Sequence, residues 1–148
     1  MDGKTSADHQ DANLILKLYE LRREEKMRAA RDWFSGRFFP ESLDDIKNTL
    51  NPANPDNAHF RMVTSYWDMA ASFVVHGVMN ANLFLESGGE MLSVWAKLED
   101  LIPEMREEFG LPAYLSNIEK VVRQVEGASD RVRWFKGRIE QRKKANAK

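Results

Sequence analysis

Residues 58–85 limit the fold more than any other part of the chain. Trp67, Met69, Ala70, Phe73, Val74, Gly77, Val78 and Leu83 make the stretch apolar on most sides of a helix. Asp68, Ser72, His76 and Asn80 recur every fourth residue and line up along the remaining side. A helix that is apolar nearly all round is a central one, covered by several neighbours. The spacing therefore predicts one long central helix over about 57–86. Its polar row needs partners or a cavity, because buried polar groups without hydrogen bonds are costly. Asp68, Ser72, His76 and Asn80 are thus a candidate polar site.

The flanking segments carry the same helical period. Asp8 or Asp11 can cap a helix to about Phe34, with a seam of Leu14, Leu18 and Leu21 resumed by Ala29, Ala30, Trp33 and Phe34. The charged run 22–26 inside it reads as a solvated turn. Glu41 or Ser42 opens a short helix with Leu43, Ile46 and Leu50 inward. Two prolines and three asparagines make 51–57 a loop. After Gly88-Gly89 a helix runs to about Phe109, and Pro103 must kink or divide it. Gly110 ends that helix and Pro112 opens the next, with Leu115, Ile118, Val122 and Val125 inward up to Gly127. Val132, Phe135 and Ile139 give the last helix its apolar side. No segment alternates with period two. The expectation is an all-α, single-domain antiparallel helical bundle of about five to six helices over 1–148. In it, 128–140 form a basic C-terminal helix, and 1–7 and 141–148 are disordered.

Composition removes several chemistries. There is no cysteine, which excludes disulfides, thiol catalysis and cysteine-ligated metals. The first eleven residues are polar and lack a signal-peptide core. No stretch approaches the roughly 18–20 apolar residues of a membrane span, so a cytoplasmic location is expected. The net charge of −1 conceals an asymmetry: 128–148 hold eight Lys or Arg against two acids, a net +6, leaving −7 on 1–127.

Motifs for catalysis are missing. None of the three histidines, His9, His59 and His76, follows a Glu at three residues or an Arg at five. There is no His-Glu-x-x-His, no Gly-rich phosphate loop and no Gly-x-Ser-x-Gly elbow. Neither metal nor cofactor nor catalytic residue is expected. His76 could carry a proton between Ser72 and Asn80, but a histidine hydrogen-bonded to a neighbouring helix explains it more simply. Counting outward from Gly88-Gly89 places Asp68 and Arg106 at similar height on antiparallel helices, so Arg106 joins the candidate site as a partner for Asp68. Trp33, Trp67 and Trp95 fall at core spacing. Trp134 differs, because Arg131, Arg133, Lys136 and Arg138 surround it. Such a tail could bind nucleic acid or an anionic surface, or its helix could pack on the acidic body with the bases in water.

The run 66–80, Tyr-Trp-Asp-Met-Ala-Ala-Ser-Phe-Val-Val-His-Gly-Val-Met-Asn, is followed by Trp95-Ala96-Lys97-Leu98 and by Ile102-Pro103-Glu104-Met105-Arg106. Over about 43–125 this resembles a bacterial family, the domain of unknown function numbered 4760. Asp68, Gly77, Trp95, Pro103 and Arg106 carry the likeness. The resemblance implies an all-α domain and no activity. Three readings of function follow. One is a non-catalytic protein-interaction module, with a protein partner or a second copy of itself. Another is nucleic-acid association through the basic tail. The third is a small-molecule or enzyme site around His76.

Overall fold

The computed structural model describes residues 3–147. Among them all regular structure is helical: α1 (His9–Arg23), α2 (Glu25–Gly36), α3 (Leu43–Leu50), α4 (Asn57–Val75), α5 (Ala81–Ser87), α6 (Glu90–Leu98), α7 (Ile102–Phe109), α8 (Ser116–Gln124) and α9 (Ala128–Asn146). A 3-10 turn, Glu99–Leu101, joins α6 to α7. These are nine α-helices where five to six were expected. The difference comes from three breaks, each with a local cause.

The first break is at Glu24. Its backbone is extended, with ψ of 141°, and its carboxylate accepts the Met27 N–H at 3.0 Å, capping α2. Arg22 and Arg23 end α1, where cations suit the helix dipole. Arg22 is not solvated as the charged run suggested. It is buried, with its guanidinium 5.1 Å from the centre of the Trp67 ring.

The second break divides the expected 57–86 helix. Gly77 has φ of 73°, which only glycine adopts at little cost. That turn lets the Val78 N–H donate to the Phe73 carbonyl at 2.8 Å and the Gly77 N–H donate to the Val74 carbonyl at 3.1 Å. Both bonds belong to a Schellman ending, which satisfies the last carbonyls of α4. The chain restarts at Asn80, whose Oδ1 accepts the Leu83 N–H at 2.9 Å and caps α5. The third break settles the role of Pro103. It sits in the first turn of α7, where a missing N–H leaves no carbonyl unpaired, so it divides the helix rather than kinking it.

One contiguous apolar cluster draws side chains from α1 through α9. Its main contacts run between α4 and both α2 and α8, and between α6 and α9. Trp33, Trp67 and Trp95 are buried in it, as their spacing predicted. Trp33 stacks on Phe38 with ring centres 4.7 Å apart, closing the elbow after α2.

Both ends are more ordered than expected where they are described; Met1, Asp2 and Lys148 lie outside the described residues. The Lys4 ammonium donates to Asp8 and to the buried Asp11 at 2.9 Å each, and the Lys4 carbonyl accepts from Asn80 Nδ2 at 2.9 Å. Residues 141–146 continue α9, where Lys143 pairs with Glu41 and Asn146 Nδ2 donates to the Gly36 carbonyl at 3.4 Å. Among the described residues no helix is long and apolar enough to cross a membrane.

Candidate functional site

The polar row does not survive as a row. Asp68 and Ser72 lie on α4, His76 follows its last turn, and Asn80 caps α5 after the Gly77 reversal. Ser72 Oγ donates to the Met69 carbonyl one turn back, at 2.5 Å. His76 is exposed. Asn80 uses its oxygen on the α5 cap and its amide nitrogen on Lys4. The helical spacing that aligned the four residues assumed a continuous helix, and Gly77 ends it.

Asp68 and Arg106 also part company. Among the described residues they share no hydrogen bond or ion pair. Instead Asp68 holds the first turn of α8, and Arg106 holds the loop before it. Asp68 Oδ1 accepts the backbone N–H groups of Asn117 and Ile118, and Oδ2 accepts the Asn117 side-chain amide, all at 3.1 Å. A carboxylate from a distant helix thus caps α8, at the end where its dipole favours negative charge. The Arg106 guanidinium donates from Nε and Nη2 to the Tyr114 carbonyl at 3.0 and 2.8 Å, and from Nη2 to Glu119 Oε1 at 3.1 Å. The predicted pair is therefore replaced by two separate clamps, one on the start of α8 and one on the loop before it. Burial, with the Asp68 charge adding, pushes the Tyr114 hydroxyl up from its ordinary pKa, against the Thr64 hydroxyl, which lowers it.

That loop is strained and shapes a groove. Leu115 has φ of 54°, a left-handed conformation costly for a branched side chain, yet it is buried. The loop and α4 enclose a groove of about 1050 Å³, walled by Phe60, Phe109, Pro112, Tyr114 and Leu115, with Asp68 and Thr64 among its few polar groups. Met69 and Leu111 stand at it with 43% and 51% of their surface exposed. An apolar wall of this kind suits another molecule's apolar surface.

The basic helix sorts into engaged and unengaged cations. Arg131 Nη1 donates to the Leu85 carbonyl at 3.1 Å, and Arg133 pairs with Asp130. Lys136 donates to Glu99 Oε1 at 2.6 Å and Asp100 Oδ1 at 3.3 Å. Burial pushes the Lys136 pKa down, but the Glu99 hydrogen bond and both acidic charges outweigh it and raise the pKa. Trp134 is 60% exposed, with the Arg138 guanidinium 5.7 Å from its ring centre. Val132 is buried, and Phe135 and Ile139 pack on the core.

Lys97 is a residue that the sequence reading does not single out. Its ammonium reaches the carbonyls of Phe34 and of Phe38, the latter at 2.6 Å, and lies 4.0 Å from the centre of the Phe39 ring. The last turn of α2 contains no basic residue of its own, so α6 supplies the cation its C-terminal carbonyls favour. Burial, with the Arg142 charge adding, pushes the Lys97 pKa down to about 7. The only sequence signal was its place between Trp95, Ala96 and Leu98, an apolar setting for a lysine.

The chain is an all-helical protein whose polar residues at α4 and α7 brace the start of α8 and the loop before it, beside an apolar groove. The family model described as "Domain of unknown function (DUF4760)" matches residues 7–125, and the chain belongs to that family. The match begins well before residue 43 and so takes in α1 and α2. No curated protein and no solved structure matches the chain.

Proposed function

We propose that this chain is a non-catalytic interaction module, one helical domain working in the cytoplasm, whose groove between α4 and residues 110–115 receives an amphipathic helix of a partner protein. The observation that carries the reading is the groove itself, with Met69 and Leu111 left exposed at its apolar wall. Helix-in-groove recognition uses such a wall to take apolar side chains at three- and four-residue spacing. Residues 1–127 carry a net −7, so a partner helix with basic flanks would be drawn to this body. A site around His76 has less support, because His76 is exposed and Ser72 and Asn80 are bonded to backbone groups.

The test is fluorescence anisotropy with a labelled lysine- and leucine-rich amphipathic helix, against a scrambled peptide of equal charge. The amphipathic peptide should bind saturably. Met69→Asp and Leu111→Asp should each weaken it by about tenfold, the size of one lost apolar contact region. Equal binding of both peptides would reduce the effect to charge and sink the reading. Light scattering on the full chain separates the occupants: a dimer that Met69→Asp dissolves would assign the groove to a second copy.

A further inference from the structure

A second hollow, of about 570 Å³, lies where α9 crosses α6 and the elbow after α2. Lys97, Arg138 and Arg142 line it, with the hydroxyl residues Ser35 and Ser93, and no carboxylate does. Helix α9 separates its cations by side. Lys136 and Lys143 face an adjoining hollow that contains Glu41, Asp100 and Glu140, and each pairs with an acid there. Arg138 and Arg142 lie four residues apart on the other side and form no ion pair among the described residues. Arg142 stands over the end of α2, where a Cβ added at Gly36 would lie 3.5 Å from Nη2.

The local balance of charge is therefore positive. The end of α2 contributes only the partial negative charge of its carbonyls, roughly half an elementary charge. Lys97 already donates to those carbonyls, so it adds field rather than a contact. Burial lowers its pKa, and the Arg142 charge beside it lowers it further. Two guanidiniums with open donors and nearby hydroxyls suit an oxyanion, which takes paired N–H bonds from each fork. Phe39 and Phe135 form an apolar floor, and Trp134 stands at the rim.

We infer that this hollow binds a small organic oxyanion, its phosphate or carboxylate held by Arg138 and Arg142 and its aromatic body lying against Phe39, Phe135 and Trp134. The inference is independent of the groove by α4.

Titration of the full chain with phenyl phosphate, benzoate, inorganic phosphate and a short oligothymidylate tests it, read by calorimetry and by tryptophan fluorescence. Trp134 is the exposed tryptophan, since Trp33, Trp67 and Trp95 are buried. Phenyl phosphate or benzoate should bind once per chain and change the fluorescence, and inorganic phosphate should bind more weakly. The preferred aryl ligand tells which oxyanion is held. Arg138→Gln with Arg142→Gln should weaken binding by at least about tenfold, as expected for lost charge-assisted bonds. Lys136→Gln should leave binding intact, and Trp134→Phe should keep the heat while removing the fluorescence change. Saturable aryl binding lost in the double variant, with its circular dichroism unchanged, supports the site. Absence of saturable aryl binding, or binding indifferent to the double variant, overturns it. Binding of the oligonucleotide alone, steeply weakened by salt, also overturns it in favour of a basic surface.

Discussion

Two regions of the molecule use charge in opposite ways. Beside α8, Asp68 directs its carboxylate at the first turn of that helix and Arg106 its guanidinium at the loop before it, and what they leave facing outward is apolar. Beside α9, Arg138 and Arg142 face a hollow that contains no carboxylate, while Lys136 and Lys143 one face away are paired. In the first region, polar groups build a shape. In the second, they are left over once the shape is built. The lesson concerns where function is sought: Asp68, Asn80 and Arg106, picked for their polarity, bond to backbone groups, whereas Arg138 and Arg142 form no ion pair among the described residues.

Asp68→Ala should have the largest effect on this contrast. It removes three hydrogen bonds from a half-buried carboxylate and uncaps α8, so a loss of about 3 kcal/mol is expected in urea denaturation. Asp68→Asn keeps the shape and one acceptor, and should cost clearly less. A loss under about 0.5 kcal/mol for Asp68→Ala would mean that this region does not depend on its polar clamp.

What the sequence made legible follows from range. Gly110, Gly127 and Pro103 act within one turn of themselves, and each was placed correctly as punctuation. Gly77 acts just as locally, but the apolar period around it continued on both sides and outweighed a single glycine. That hid one of the three breaks in the helices and made the polar row look continuous. The Asp68 bonds to Asn117 and Ile118 span about fifty residues, and only the packing of α4 on α8 creates them. Counting along antiparallel helices brought Asp68 and Arg106 to the same region but not to each other. Lys97 was illegible because its partners are carbonyls at the end of another helix, and backbone groups leave no mark in a sequence.

Lys97 should give the next largest effect, read as a dependence of stability on pH. Its folded pKa is lowered to about 7 from 10.5. Below about 7 both states hold the proton, and stability does not change through this group. Between 7 and 10.5 the unfolded chain still holds a proton that the folded one has released, so stability rises with pH. The carbonyl acceptors favour the charged form and reduce the gain, leaving about 2 kcal/mol over the window. Tyr66 and Tyr114, both raised by burial, act oppositely above about 10, so pH 7 to 10 is the range to measure. Lys97→Met should flatten the slope there. An unchanged slope would show that Lys97 is no less solvated than the paired Lys136.

Gly77→Ala tests whether the break in the polar row is built into the backbone. A Cβ at φ of 73° should cost about 1 kcal/mol, with helix content unchanged because Asn80 still caps α5. A rise in helix content with no loss of stability would mean that α4 and α5 merge readily. His76 and Asn80 would then return to the row with Asp68, and the first region would regain a polar site.

The smallest expected effect is the most telling. Arg138→Gln removes a guanidinium that has no carboxylate partner among the described residues and has an exposed tryptophan ring 5.7 Å away. The lost cation–π contact, worth about 0.5–1 kcal/mol at exposed sites, is offset by relief of repulsion from Arg142 and Lys97. Stability should therefore move by less than about 0.5 kcal/mol in low salt, with no aryl ligand present. Lys136→Gln, which takes the cation from Glu99 and leaves that carboxylate, among the described residues, only its bond from the Trp95 indole N–H, should cost more. If instead Arg138→Gln lowers stability by about 1 kcal/mol or more, the cations of α9 are structural on both sides. The two regions would then differ only in which atoms they clamp. If Arg138→Gln is neutral alone and yet abolishes the gain in melting temperature that phenyl phosphate gives the native chain, the residue has no structural duty and one binding duty.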